Sequence, residues 1–125
     1  MKNAIIGSTG LTAMAVVLAY SVPAMADATP ECNENVTSGV TSLECGRNSD
    51  ASGFSGAVAV GANAVASGNE STAVGESADA TGSQSTALGE DAQATDGDAT
   101  ALGNSADATA DDATAVGADS FATGI

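Results

Sequence analysis

Histidine and tryptophan are absent from this 125-residue chain, which holds only two basic residues, two cysteines, two prolines, one tyrosine and two phenylalanines. Each scarcity excludes something. Without histidine, and with its single lysine at position 2, the chain lacks the usual bases that activate a serine or cysteine nucleophile. Two cysteines with no histidine leave a zinc-type site short of ligands. No P-loop and no G-x-G-x-x-G segment occurs. Paired carboxylates are plentiful, as in Glu90-Asp91 and Asp111-Asp112. Acid/base catalysis needs two of them in a cleft with separated pKa values, which a narrow repeat does not offer. No catalytic residue, metal or cofactor is expected, and the chain does not read as an enzyme.

The N-terminus reads as a secretory signal peptide over residues 1–26. Lys2 supplies the positive start, Leu11 to Tyr20 the compact apolar run, and Pro23 precedes the small-x-small site Ala24-Met25-Ala26, so cleavage is expected between Ala26 and Asp27. The apolar run is too short to span a bilayer, and no second one follows, so direct membrane insertion is not expected. Removal would leave 99 residues with Arg47 as the one cation against 16 acidic residues, a formal charge of −15. That field repels nucleic acid and anionic membranes alike, so neither is an expected partner.

Large apolar residues are scarce in the remainder: seven Val, three Leu, one Ile and two Phe. With this charge, such a composition suits either a disordered acidic chain or a fold built by repetition around very small residues. A conventional globular core is not expected.

Cys32 and Cys45 are the only cysteines. In an exported chain an isolated pair usually forms a disulfide, and closing this loop is worth roughly 3 kcal/mol in the chain-entropy model. Residues 27–44 are therefore expected to form a disulfide-capped segment ahead of the repeats.

The repeat itself is the strongest signal. Gly61, Gly75, Gly89, Gly103 and Gly117 recur every fourteen residues, and each is preceded by Val60, Val74, Leu88, Leu102 or Val116. The pentapeptides read Ala-Val-Ala-Val-Gly from Ala57, then Ser-Thr-Ala-Val-Gly from Ser71 and Ser-Thr-Ala-Leu-Gly from Ser85. A second block follows each glycine, such as Ala64-Val65-Ala66-Ser67-Gly68 and Ala78-Asp79-Ala80-Thr81-Gly82. Cys45 to Gly53 aligns without a gap on Val60 to Gly68, after which one extra residue makes the next glycine spacing eight instead of seven. Cys45 thus stands in the Val/Leu column.

Short alternating segments with polar, glycine-rich joins indicate strands and turns, two of each per unit. Stacked units make a parallel β-solenoid over 45–125, about five coils tall, each rising about 4.8 Å. Columns of alanine (Ala59, Ala73, Ala87, Ala101, Ala115 and Ala66, Ala80, Ala94, Ala108, Ala122) suit a narrow interior. The Val/Leu column is the one continuous bulky strip, thin support for a monomer at about 25 cal/mol per Å². Pairing it with copies of itself would help.

These S/A-T-A-V/L-G and A-x-A-T/S-G blocks resemble the head repeats of YadA-like trimeric autotransporter adhesins. The resemblance implies a left-handed β-roll, a homotrimer, and a cell-surface or outer-membrane location for a full adhesin, or secretion for a free head. It also implies binding to host extracellular matrix or cell-surface ligands, with the Gly and Val/Leu columns as structural positions. The family normally continues into a neck, stalk and barrel anchor, which this sequence does not show before Ile125.

Weaker signals point elsewhere. Glu76 and Glu90, and Asp98 and Asp112, lie one coil apart, where a calcium ion would relieve stacked charge; a solvated acidic face is the simpler reading. Asn35-Val36-Thr37 and Asn69-Glu70-Ser71 fit the glycosylation sequon and are taken as chance. Aligned threonines (Thr72, Thr86, Thr100, Thr114) raise an ice-binding alternative, although paired T-x-T is missing.

Overall fold

A computed structural model describes residues 32–35, 41–53 and 55–124. The expected signal peptide, with Ala26 and Asp27, lies outside the described residues. Short segments of alternating small and larger residues give short strands, and no helix occurs among the described residues. The first two strands are β1 (Cys32–Asn35) and β2 (Ser42–Cys45). Three-residue strands β3 (Val58–Val60), β5 (Thr72–Val74), β7 (Thr86–Leu88), β9 (Thr100–Leu102) and β11 (Thr114–Val116) then alternate with two-residue ones. The latter are β4 (Val65–Ala66), β6 (Asp79–Ala80), β8 (Gln93–Ala94), β10 (Asp107–Ala108) and β12 (Phe121–Ala122).

Odd and even strands segregate into two sheets. One runs β1-β2-β3-β5-β7-β9-β11 and the other β12-β10-β8-β6-β4. All pairs beyond β1–β2 are parallel and in register, with Ala73 opposite Ala87 and Ala80 opposite Ala94. The chain is therefore a parallel β-solenoid. It has about six turns where the sequence suggested about five, because strand Ser42–Cys45 joins Gly46 to Gly53 in a first coil stacked on the next. Leu43 pairs with Val58, and Asp50 bridges to Val65. Both steps are fifteen residues, so the one-residue insertion is absorbed between the first two coils.

Alanine dominates the interior, joined by the buried serines Ser42, Ser71 and Ser85. All buried apolar residues among those described are alanines, most of them 0% exposed. Methyl groups give little hydrophobic stabilisation each, so the backbone carries much of the order. Gly75 N–H donates to Val60 C=O at 2.8 Å, Ser77 N–H to Ala62 C=O at 2.9 Å, and Val65 N–H to Ala78 C=O at 2.8 Å. Every coil repeats this pattern to its neighbours, which satisfies backbone groups that the narrow core would otherwise strand. The composition that permitted disorder thus folds by stacking, each coil supporting the next.

The turns have a shorter period than the sequence shows. From Asn63 to Asp119 every seventh residue adopts a left-handed conformation, with φ between 53° and 58°. Each such turn closes by an i→i+3 bond, for example Ala64 N–H to Gly61 C=O and Ser71 N–H to Gly68 C=O. The left-handed position is held by Asn, Glu, Ser, Gln or Asp, with glycine two residues earlier except before Asp98 and Asp112, where Asp96 and Ala110 stand.

Candidate interaction face

Period two along β3 to β11 points alanine inward and the flanking residues outward. The outer face of this sheet carries two columns. One runs Cys45, Val60, Val74, Leu88, Leu102 and Val116; beside it run Leu43, Val58, Thr72, Thr86, Thr100 and Thr114. Val60 and Val74 are half-buried, but exposure then climbs through 37% at Leu88 and 42% at Leu102 to 63% at Val116. A continuous aliphatic ridge on a flat sheet, bordered by threonine, marks an interaction surface more than a solvated one.

The opposite sheet presents a different outer row: Val65, Asp79, Gln93, Asp107 and Phe121. Asp79 Oδ1 and Asp107 Oδ1 are buried without a hydrogen-bond partner. Desolvation raises the Asp79 pKa above the ordinary aspartate value. Most of the other acids line the turns, where Glu70, Glu76, Glu90, Asp91, Asp98, Asp111 and Asp112 are exposed. Among the described residues no three His, Cys, Asp or Glu side chains are placed to hold a metal ion. An open cleft of about 350 Å³ between Thr41–Leu43 and Gly56–Val58 has no titratable side chain in its lining.

The coil geometry has a counterpart among known families. The family model described as the YadA head domain repeat matches residues 55–78, 80–106 and 108–125, more than half of the chain. This chain belongs to the YadA head repeat family. Heads of this kind are surface-exposed adhesin modules, trimeric in general and generally non-enzymatic. No curated protein sequence matches the chain.

Within this YadA head, both columns singled out from the sequence have clear places. Gly75 shows why its column is glycine: its φ is +142°, and an added Cβ would run into the carbonyl of Gly89 one coil on. Gly61, Gly89 and Gly103 repeat that environment; Gly117 keeps the positive φ but meets no neighbour on its open side. Val60, Val74, Leu88, Leu102 and Val116 contribute nothing to the alanine interior and form the outer ridge instead. Cys32 and Cys45 are disulfide-bonded across the antiparallel β1–β2 pair, and Cys45 is opposite Val60 at the head of that ridge.

Other structural residues of this YadA head were not singled out from the sequence. Ala64, Ala78, Ala92 and Ala106 form a further buried column at the strand entrances. Ser71 and Ser85 are wholly buried because each hydroxyl donates back to the turn, to Gly68 C=O at 2.8 Å and Gly82 C=O at 2.7 Å. Their position three residues after a glycine, repeated at Ser49 and Ser120, is the signal that could have found them.

Proposed function

We propose that this YadA head is exported, assembles as a homotrimer through the aliphatic ridge, and serves as a non-catalytic adhesive module for host matrix or cell-surface ligands. The observation that carries the assembly is the outward Val60–Val116 column. It leaves Leu88, Leu102 and Val116 partly in water, while alanine is the one apolar residue type buried in the coil interior among the described residues. Burying such a ridge against its own copies removes apolar surface at about 25 cal/mol per Å² and places the threonine row at the interface margin. Ligand contact then falls to the variable, mostly acidic turn residues, such as Glu76, Glu90, Asp98 and Asp112. These outward carboxylates, spread over both turn edges, favour a basic ligand surface and disfavour nucleic acid.

Light scattering across a concentration series tests the assembly. The chain should be trimeric and L88D/L102D monomeric, whereas monomers at every concentration overturn the proposal. Adhesion is read separately, by retention of the trimer on immobilised matrix proteins and loss of retention as salt rises. No retention on matrix or on cells would remove the adhesive role and leave the trimer standing.

A second reading keeps one observation in its favour: Thr72, Thr86, Thr100 and Thr114 face outward in register on a flat sheet. Thermal hysteresis of the isolated head would support an ice-binding surface on this same face.

A further inference from the structure

We propose that Asp96–Gly97 is a site of spontaneous backbone isomerisation, at which Asp96 converts through a cyclic imide to an isoaspartyl linkage. It is the only Asp-Gly or Asn-Gly dipeptide in the chain. Gly97 N–H donates to Asp96 Oδ1 at 3.0 Å, which holds the amide nitrogen against the carboxyl group it attacks. Asp96 is exposed, and Gly97 has no side chain to shield the approach.

Other turn aspartates provide the internal contrast. Asp91, Asp98 and Asp112 are each followed by a buried alanine whose N–H is engaged in closing the turn. Ala92 donates to Gly89 C=O at 3.4 Å, Ala99 to Asp96 C=O at 3.3 Å, and Ala113 to Ala110 C=O at 3.0 Å. Asp111 is followed by Asp112, whose N–H donates to Gly97 C=O at 3.0 Å. At Asp96 alone among these does the next amide point at the aspartate's own carboxyl.

The chemistry balances without a co-reactant. Gly97 N forms a bond to Asp96 Cγ; one carboxyl oxygen leaves as water, taking the amide proton and one proton from solvent. Water then opens the ring. Attack at the side-chain carbonyl restores aspartate, and attack at the main-chain carbonyl leaves the chain running through Cβ and Cγ. Nothing is oxidised, and the final mass is unchanged.

The product does not fit this coil. Asp96 Cα is 3.0 Å from where a Cβ on Gly82 would be, so backbone rests on backbone there. Gly97 C=O is fixed by Asp112 N–H, and Asp98 N–H by Ser83 C=O at 2.9 Å. On the other side of the 96–97 bond Thr95 N–H is held by Ala108 C=O at 3.1 Å, so one extra main-chain atom between Thr95 and Gly97 pulls an anchor out of register.

The test incubates the full chain at neutral pH and physiological temperature. Isoaspartate is read by methylation with a protein isoaspartyl methyltransferase and located by electron-transfer fragmentation. The expected result is a signal confined to the 96–97 bond, lost in D96E and in D96G, the latter restoring the residue found at Gly68 and Gly82. Conversion in the folded chain should at least match that of a free peptide spanning 93–100. An unmodified Asp96 in the folded chain while the peptide converts would overturn the proposal, as would equal conversion at Asp98 and Asp112.

Discussion

The two turn edges of the solenoid have diverged unequally. The edge that begins at Gly46 and continues through Gly61, Gly75, Gly89, Gly103 and Gly117 keeps glycine in every coil. The edge that begins at Gly53 continues through Gly68 and Gly82 but then takes Asp96 and Ala110 before Gly124. Both edges stack backbone on backbone, and a Cβ on Gly82 would meet the Asp96 carbonyl just as one on Gly75 meets Gly89. Only the first edge also requires φ between +121° and +144°. Crowding can be relieved by a small shift of a neighbouring coil, whereas a positive φ at these values is strained for any side chain. A column held by two independent constraints has stayed fixed, and a column held by one has drifted.

The sharpest test substitutes one glycine on each edge. G89A is expected to cost about 3 kcal/mol, combining strain and clash, and G82A about half of that, since it incurs only the clash. Urea melts of both variants measure the difference, and equal losses would break the comparison.

Reduction of the disulfide comes next. Cys45 leads directly into Gly46, the first glycine of the conserved edge. Opening the bond should lower stability by roughly 3 kcal/mol at most in the chain-entropy model. Hydrogen exchange should report that loss at Leu43 and Cys45 before it reaches the opposite sheet.

Left-handed residues offer a smaller contrast. Asn63 on the conserved edge tolerates φ +57° better than Glu70 does on the drifting edge at the same angle. E70G should therefore stabilise the fold by about 1 kcal/mol, less the exposed bond that Glu70 accepts from Gln84 Nε2 at 3.1 Å, and N63G by much less. A shift in melting temperature of equal size for both would remove the distinction.

The smallest expected effect is at Asp79. Its pKa is raised by desolvation, so the folded state binds its proton more tightly than the unfolded chain does. Its contribution is thus most favourable below the unfolded value and becomes a penalty as pH rises through the folded one. D79N should flatten that part of the stability–pH curve and raise neutral-pH stability by a few tenths of a kcal/mol after solvent screening. D119N, on an exposed turn, is the control.

How legible these features were depended on which residues carried them. The glycine and Val/Leu columns stood out because few other residues fill those places, and together they gave the parallel solenoid and the outer ridge. The left-handed positions were hidden because Asn63, Glu70, Ser77, Gln84 and Asp91 share a backbone shape but no side-chain chemistry. The half-burial of Asp79 and Asp107, each with one oxygen shut off from solvent, was equally unreadable, since the same residue type at Asp98 and Asp112 is in open turns. The additional coil was nearly visible: Cys45 to Gly53 aligned with the repeats and Ser42 stands in the column of Ser71 and Ser85, but Leu43 and Glu44 take places that later copies give to Val or Thr and to Ala.

The in-register coil also has a genetic consequence. Because Ala73 is opposite Ala87, and Ala87 opposite Ala101, at identical steps, a gain or loss of fourteen codons between these points leaves every remaining pairing intact. Slippage during replication therefore lengthens or shortens the head by whole coils while preserving its cross-section. The first coil is exempt. Its fifteen-residue step from Cys45 to Val60 fits no other place in the stack, so the disulfide end is fixed while the number of coils beyond it is free to change.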